Sequence, residues 1–342
     1  MDTAINNRSP PKKSRKKDTI EQFLTANQII LKTGLSQLRY MILVDGLKTP
    51  QGYDSCPYRV YVWSILLRVN SNNSTKVYLN LVSKGPPLSY SKIKNDTFRT
   101  LTKDLVFLSK VSEQSITRVL SAFAWYQEDS TINNNNNNNN NNINNINNIR
   151  ISPYVQGMNI LVAPFLYISK SEPEAFSLFH SLLTNYCPLY VTSTIEGVHT
   201  GSMLVDIILK KIDPKLHSYL NLKLLKTEIY AFPSVLTLCA CTPPLNEVLI
   251  LWDFLFSYGI HMNILFIVAQ LILIRNDILQ SSSPMKLLRN FPNLKSKQII
   301  KLSISFITKL SDEMYQLLVK HPYDSSVKFR VQSLLKKQAS NN

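Results

Sequence analysis

Two short stretches carry residue types that could act on a phosphoryl group. Ile93-Lys94-Asn95-Asp96-Thr97-Phe98-Arg99-Thr100 has the form I-x-x-D-x-x-R-T, and Tyr154-Val155-Gln156-Gly157-Met158-Asn159 the form Y-x-Q-G-M-N. An arginine brings a delocalised cation that is always ionised and suits charge gathering on phosphoryl oxygens. A carboxamide beside it can orient a water for in-line attack. Arg99 and Gln156 are the residues of those types. Asp96, three residues before Arg99, falls on the same helical face or turn and could hold its backbone or side chain, with Ile93 as apolar anchor. Taken singly, the first pattern is that of a helix surface with an apolar anchor, and the second that of a loop glycine that follows a glutamine. Their order, and their setting between helices, make the pair informative.

The elements that must position them are helical. Ile116, Val119, Leu120, Phe123 and Ala124 recur at i, i+3, i+4, i+7 and i+8 behind Ser112. Pro57 suits a first helical turn, and Tyr58, Val62, Ile65, Leu66 and Val69 line one face beyond it. Ser171-Glu172-Pro173-Glu174 opens another helix with the stripe Ala175, Leu178, Phe179 and Leu182, which Pro188 is expected to end. Segments near 201–211, 244–257, 263–275, 297–309 and 326–337 have the same period. Only 8 glycines occur in 342 residues, too few for a fold of many hairpins. No alternation of strand and helix is present, nor G-x-G-x-x-G or G-x-x-x-x-G-K, so the chain does not read as a GTPase itself. The expected fold class is all-α.

The formal charge of +16 first suggests nucleic acid or a membrane. Its distribution argues otherwise: residues 1–17 carry +5 and residues 285–342 carry +8, which leaves +3 for the rest. Solvated ends, or an acidic partner such as an acidic scaffold protein, account for this better. Residues 1–17 are expected to be a disordered basic tail that could double as a nuclear-import signal. The asparagine run from Asn133, continued by Ile-Asn-Asn repeats, reads as a disordered insertion over 131–149. It is no domain boundary, because loop closure costs grow only logarithmically with length. Residues 286–342 are expected to form a basic helical extension after a domain spanning 18–285.

Cys56, Cys187, Cys239 and Cys241 lack a metal-ligand rhythm, and free thiols in a reducing compartment are expected. His180, His199, His217, His261 and His321 are scattered, so no metal site is expected. The apolar run Met262 to Ile274 is broken by Asn263 and Gln270 and is too short for a bilayer. The amino-terminal residues are polar and basic without an apolar stretch, so no secretory signal is expected. A soluble intracellular protein without a membrane span follows.

The two motifs together resemble the finger motifs of the TBC domain, the GTPase-activating fold that acts on Rab-like GTPases. The resemblance covers about residues 34–280. Arg59-x-x-x-Trp63-x-x-Leu66-Leu67 is similar to the helix that opens such domains, and Trp252-Asp253-Phe254-Leu255-Phe256 with Gly259 to a helix of their second lobe. Ile250 stands where many members carry arginine shortly before the W-D pair, so any salt bridge made there is absent or replaced. Gly34 to Tyr40, Asp45-Gly46-Leu47, Leu236 to Leu245 and Leu251 to Phe256 resemble a mitotic-checkpoint branch of the family.

The resemblance implies a two-lobed helical domain in which Arg99 is an arginine finger and Gln156 a glutamine finger. Gly157 would let the backbone approach the GTPase, and Tyr154 with Met158 would pack behind the loop. The chain would be no enzyme by itself but an activator in trans on the GTPase's own site, with Mg and GTP arriving on the partner and no cofactor of its own. The branch implies a separate scaffold subunit, a cytoplasmic protein at the spindle pole or centrosome, and restraint of a Ras-like GTPase that triggers mitotic exit or septation. Two other readings stand beside this one: a non-catalytic scaffold of the same fold, and a helical protein that binds nucleic acid through its basic ends.

Overall fold

The computed structural model describes residues 31–69, 73–136 and 149–340. The expected basic tail at 1–17 lies outside the described residues. Among those that are described, helices account for every regular element, and the one β-bridge is an isolated antiparallel pair between Ile151 and Thr192. The chain is all-α and two-lobed, as expected.

Helix α1 (Leu31–Asp45) precedes the first lobe. That lobe holds α2 (Arg59–Leu66), α3 (Ser74–Val82), α4 (Tyr90–Thr97), α5 (Leu105–Lys110), α6 (Glu113–Asn136), α7 (Met158–Ile168) and α8 (Glu172–Ser181). Helix α6 is its axis and touches α3, α4, α7 and α8. The periodic stripe explains this: Ile116, Val119, Leu120, Phe123 and Ala124 are all buried, and the Ser112 hydroxyl accepts the Ser115 N–H at 3.1 Å at the helix start. The helix runs on through Asn136, so the first asparagines continue it, and 137–148 lie outside the described residues.

The second lobe is organised around α9 (Glu196–Ile212), which touches α10 (Pro214–Leu222), α11 (Thr227–Tyr230) and α12 (Phe232–Leu236). It also packs on α14 (Met262–Leu273) and on α19 (Val327–Ser340). Helices α15 (Arg275–Gln280), α16 (Pro284–Arg289), α17 (Ser296–Ile307) and α18 (Asp312–Lys320) complete it. The helices after residue 285 are integral to the packing: α17 lies on α13 and α14, and Val331 of α19 is fully buried. Among the described residues no helix is long and apolar enough to cross a membrane.

Helix α13 (Leu245–Tyr258) joins the lobes by touching α1, α2 and α7 on one side and α14 and α17 on the other. Trp63 of α2 meets Phe256 edge-on at 4.9 Å and Phe165 of α7 at 5.6 Å, with Trp252 at 5.8 Å. Inside this aromatic joint Arg59 and Asp253 form a buried ion pair, Nε to Oδ1 at 3.0 Å, and the Trp63 indole N–H donates to the same oxygen at 2.7 Å. Burial pushes the Asp253 carboxyl's pKa up, while the guanidinium and the indole N–H pull it down.

Two expectations about helix faces and ends change. The buried face of α2 is Arg59, Val60, Val62, Trp63 and Leu66 rather than the stripe through Tyr58, Ile65 and Val69. Arginine enters the core there because Asp253 pairs with it. Pro57 lies before the Tyr58 N-cap, outside the first turn. Helix α8 begins at its Ser171 cap and buries its stripe, but it ends at Ser181 and passes into a π-helical turn over Leu182–Tyr186. Pro188 opens the short 3₁₀ turn that follows.

Candidate functional site

Helix α4 closes at Thr97, and Phe98, Arg99 and Thr100 turn away from its end. Ile93 is fully buried and pins the helix, while Arg99 is carried past the last turn, its N–H donating to the Asp96 carbonyl at 3.3 Å. The Arg99 guanidinium folds back on the Asp96 carboxylate. Nε donates to Oδ1 at 3.0 Å, and Nη2 pairs with the same oxygen. The arginine side chain stays 51% exposed, whereas Asp96 is nearly sealed. The hydrogen bond and charge of Asp96 raise the Arg99 pKa further, so the cation is permanent.

The second oxygen of Asp96 belongs to the other motif. The Tyr154 hydroxyl donates to Oδ2 at 2.6 Å. Burial pushes the Tyr154 phenol's pKa up, and the adjacent carboxylate adds to that. The Tyr154 stretch is held on its outer side too, because Ser152 N–H donates to the Val191 carbonyl at 2.8 Å. Val155 N–H donates to the Met158 sulfur at 3.4 Å, and Met158 is buried beneath the turn. Gln156 sits at the tip of that turn, exposed.

Gly157 starts α7 and has φ +107, a conformation that L side chains rarely adopt. Gly157 is buried, and an added Cβ would lie 2.8 Å from Leu236 Cδ2 of the second lobe. The close approach that this glycine permits within the chain is to Leu236. Gln156 is thereby presented from a turn seated on both lobes.

Sequence reasoning gave no role to Asn159 and Thr100. Buried Asn159 donates from Nδ2 to the Asp96 carbonyl at 3.2 Å and to the Thr100 hydroxyl at 2.9 Å. Thr100 in turn donates to the Asp96 carbonyl at 3.1 Å. Asp96 therefore carries a shared network: its carboxylate binds Arg99 and Tyr154, and its carbonyl binds Asn159 and Thr100. The terminal N of Y-x-Q-G-M-N was the available signal, since a buried amide needs several partners.

Exposed apolar residues occur next to Arg99 in sequence. Phe98 is 60% exposed and Leu105 of α5 is 79% exposed, with Val106 and Leu108 also open. No cluster of three or more possible metal ligands occurs among the described residues. None of the four cysteines forms a disulfide among the described residues.

A family model for the Rab-GTPase-TBC domain matches residues 56–279. The chain belongs to the TBC domain family. The mitotic check point protein BUB2 of Saccharomyces cerevisiae is 42% identical over 90% of this chain and 98% of its own length. Cell division control protein 16 of Schizosaccharomyces pombe is 44% identical, over 85% of this chain and 89% of its own. The crystal structure of the Ypt/Rab-GAP domain of Gyp1p superposes with a TM-score of 0.64 at 17% identity, covering 85% of this chain and 99% of that one, which bears on fold alone. Both motifs lie inside the matched TBC span, and so does the Arg59–Asp253 joint. The aromatic junction and the Gly157–Leu236 contact are thus internal to the TBC domain, while α16 to α19 add to its second lobe.

Proposed function

We propose that this TBC domain accelerates GTP hydrolysis by a Rab-like or other Ras-superfamily GTPase, with Arg99 and Gln156 inserted in trans into the GTPase's own site. The observation that carries the reading is the Asp96 network. One buried carboxylate ties the arginine segment to the glutamine segment, so the two side chains are offered together from a fixed surface. Of the Arg99 fork, Nε and Nη2 bond to Asp96, while Nη1 makes no hydrogen bond among the described residues. The cation is therefore positioned before docking and still has a donor for phosphoryl oxygens. Preorganisation of this kind lowers the reorganisation needed in the transition state. An arginine supplied in trans is worth about 10³–10⁵ in rate.

Gln156 would align the attacking water through its carboxamide. Mg and GTP arrive with the GTPase, and this chain needs no cofactor. The exposed Phe98, next to Arg99 in sequence, would give the GTPase apolar area to cover. From the names of its relatives we infer a role in a mitotic checkpoint; a scaffold co-subunit and a cytoplasmic site at the spindle pole or centrosome belong to the same proposal and rest on the resemblance in sequence alone.

Single-turnover GTP hydrolysis across a panel of small GTPases tests this, with wild type, Arg99→Ala and Gln156→Ala compared. Strong stimulation of one GTPase, lost in both variants, is the expected result. Stimulation that survives Arg99→Ala would sink the two-finger mechanism, and binding of a GTP-loaded GTPase without any stimulation would leave a scaffold.

A further inference from the structure

Lys226 lies on the surface of the second lobe, between α10 and α11, in the run Leu225-Lys226-Thr227-Glu228. An aliphatic residue directly before a lysine and a glutamate two residues after it occur together at this one place in the 342 residues. The run is presented by its surroundings. Leu224 has φ +56, which turns the chain out of α10, and Leu225 N–H donates to the Leu220 carbonyl at 2.9 Å. Lys226 itself is extended, with φ -71 and ψ 145. Thr227 points inward: it is 2% exposed, and its hydroxyl donates to Asp206 Oδ1 at 2.8 Å. Lys226 and Glu228 on either side of it are exposed, and Leu225 is half-buried. None of the ion pairs among the described residues includes Lys226 or Glu228.

Two other lysines show what this placement adds. Lys94 has the related form Ile93-Lys94-Asn95-Asp96, but it lies inside α4. There Ile93 is fully buried, and Asp96 is sealed and engaged with Arg99 and Tyr154. No second protein could read either flank without unfolding α4. Lys223 is also exposed and stands three residues before Lys226. Two residues after it comes Leu225 rather than a carboxylate, and its ammonium lies 5.8 Å over the Tyr219 ring.

We propose that Lys226 is an acceptor for a small ubiquitin-like modifier, attached by the class of conjugating enzyme that reads its substrate directly. Such an enzyme carries the modifier's C-terminal glycine as a thioester on its own cysteine, formed upstream by an activating enzyme that consumes ATP. Direct reading needs three features on one exposed segment. An apolar side chain must precede the lysine, the lysine must be free to enter the channel to the thioester, and a carboxylate two residues on must meet basic groups of the enzyme. Leu225, Lys226 and Glu228 supply these in that order. In the reaction the uncharged Lys226 amine attacks the thioester carbonyl. An amide bond forms from Nζ, the C–S bond breaks, and the amine's proton passes to the departing sulfur. The product loses one positive charge and gains a folded domain on the lobe that does not carry Arg99 and Gln156.

Incubating the full chain with the modifier, its activating and conjugating enzymes and ATP, with no ligase added, tests the proposal. The expected product is a single conjugate whose branched tryptic peptide maps to Lys226. Lys226→Arg should abolish it. Glu228→Ala, an exposed change that should leave the melting temperature in place, should slow it about tenfold, as the loss of one hydrogen bond to a charged group does. Lys94→Arg and Lys223→Arg should leave the rate unchanged. Stimulation of GTP hydrolysis by Lys226→Arg should equal that by wild type, so failure here is separable from failure of the finger mechanism. A conjugate that survives Lys226→Arg, or one that forms equally fast in Glu228→Ala, would overturn the proposal. So would an unmodified wild type in a reaction that modifies a control protein bearing the same four residues.

Discussion

Tyr154 and Asp96, 58 residues apart in sequence, share a hydrogen bond of 2.6 Å that joins the Arg99 segment to the Gln156 segment. Its donor is half-buried and its acceptor is the carboxylate that also holds Arg99. Tyr154→Phe keeps the ring and removes this one bond. Hydrogen bonds to charged groups contribute about 1.5–3 kcal/mol, and urea denaturation should read a loss of that size. Stimulation of GTP hydrolysis should fall as well, because Asp96 is then free to pull Arg99 out of place. Arg99→Ala should show the larger loss in stimulation, because the half-exposed guanidinium itself is removed while Tyr154 still holds the nearly sealed Asp96.

Gly157→Ala should destabilise through two separable effects, since φ is +107 and the new Cβ lies 2.8 Å from Leu236. Backbone strain of this kind costs about 1–3 kcal/mol, and the clash adds to it. Gly46 serves as the control: its φ is +68, but nothing lies within 4 Å of an added Cβ. Gly46→Ala should therefore cost less in chemical denaturation. Combining Gly157→Ala with Leu236→Ala should remove the clash and leave the backbone strain. Equal destabilisation at Gly46 and Gly157 would mean that the Leu236 contact does not matter.

Much of the frame was legible because it follows from periodicity. The stripes Ile116 to Ala124 and Ala175 to Leu182 name the faces that α6 and α8 bury, and the Ser171 cap names a start. What could not be read was pairing across distance. Arg59 and Trp63 belong to a recognisable helix motif, and Asp253 to another, yet no local pattern says that all three meet. That meeting turns α2 so that an arginine faces the core, which amphipathic reasoning excludes. The contact of Gly157 was illegible for a related reason, since its neighbour Leu236 comes from the other lobe. Asp96 was legible as Arg99's holder through i, i+3 spacing, whereas Tyr154 and Asn159 reach it only through tertiary structure.

The Arg59–Asp253 pair yields a prediction with a pH signature. Both side chains are almost fully buried, so Arg59→Met leaves a sealed carboxylate without its cation, at a cost of about 3–5 kcal/mol. Burial already pushes the Asp253 pKa up, and the main opposing influence is then gone. A carboxyl whose folded pKa lies above its unfolded value of about 3.9 holds its proton more tightly when folded, so stability falls as pH rises between the two values. Arg59→Met should therefore be less destabilised near pH 4 than at pH 8, relative to wild type. The double change Arg59→Met with Asp253→Leu should recover much of the loss, because no buried charge is left.

Three histidines, His261 and His321 buried and His180 half-buried with its Nε2 sealed, should dominate the acid limb of the stability curve. Burial pulls His180 and His261 down to about 4 and His321 to about 3. His321 is held neutral by geometry: Nδ1 donates to the Leu318 carbonyl at 2.6 Å, which leaves Nε2 to accept from the Tyr190 hydroxyl at 2.8 Å. Each folded pKa is below the unfolded value of about 6.5, so the unfolded chain takes up protons first as pH falls. The stability they contribute is complete above about 6.5 and is lost on the way down to their folded values, at up to about 1.4 kcal/mol per pH unit for each. His180 is the one to change, because its Nε2 has no partner and its ring lies 4.4 Å from Tyr126 in an aromatic cluster with Phe123 and Phe176. His180→Phe should be neutral or stabilising at pH 7 and should flatten the slope of unfolding free energy between pH 6.5 and 4 by up to one proton's worth. An unchanged slope in urea titrations across that range would mean that His180 does not titrate as a buried neutral group.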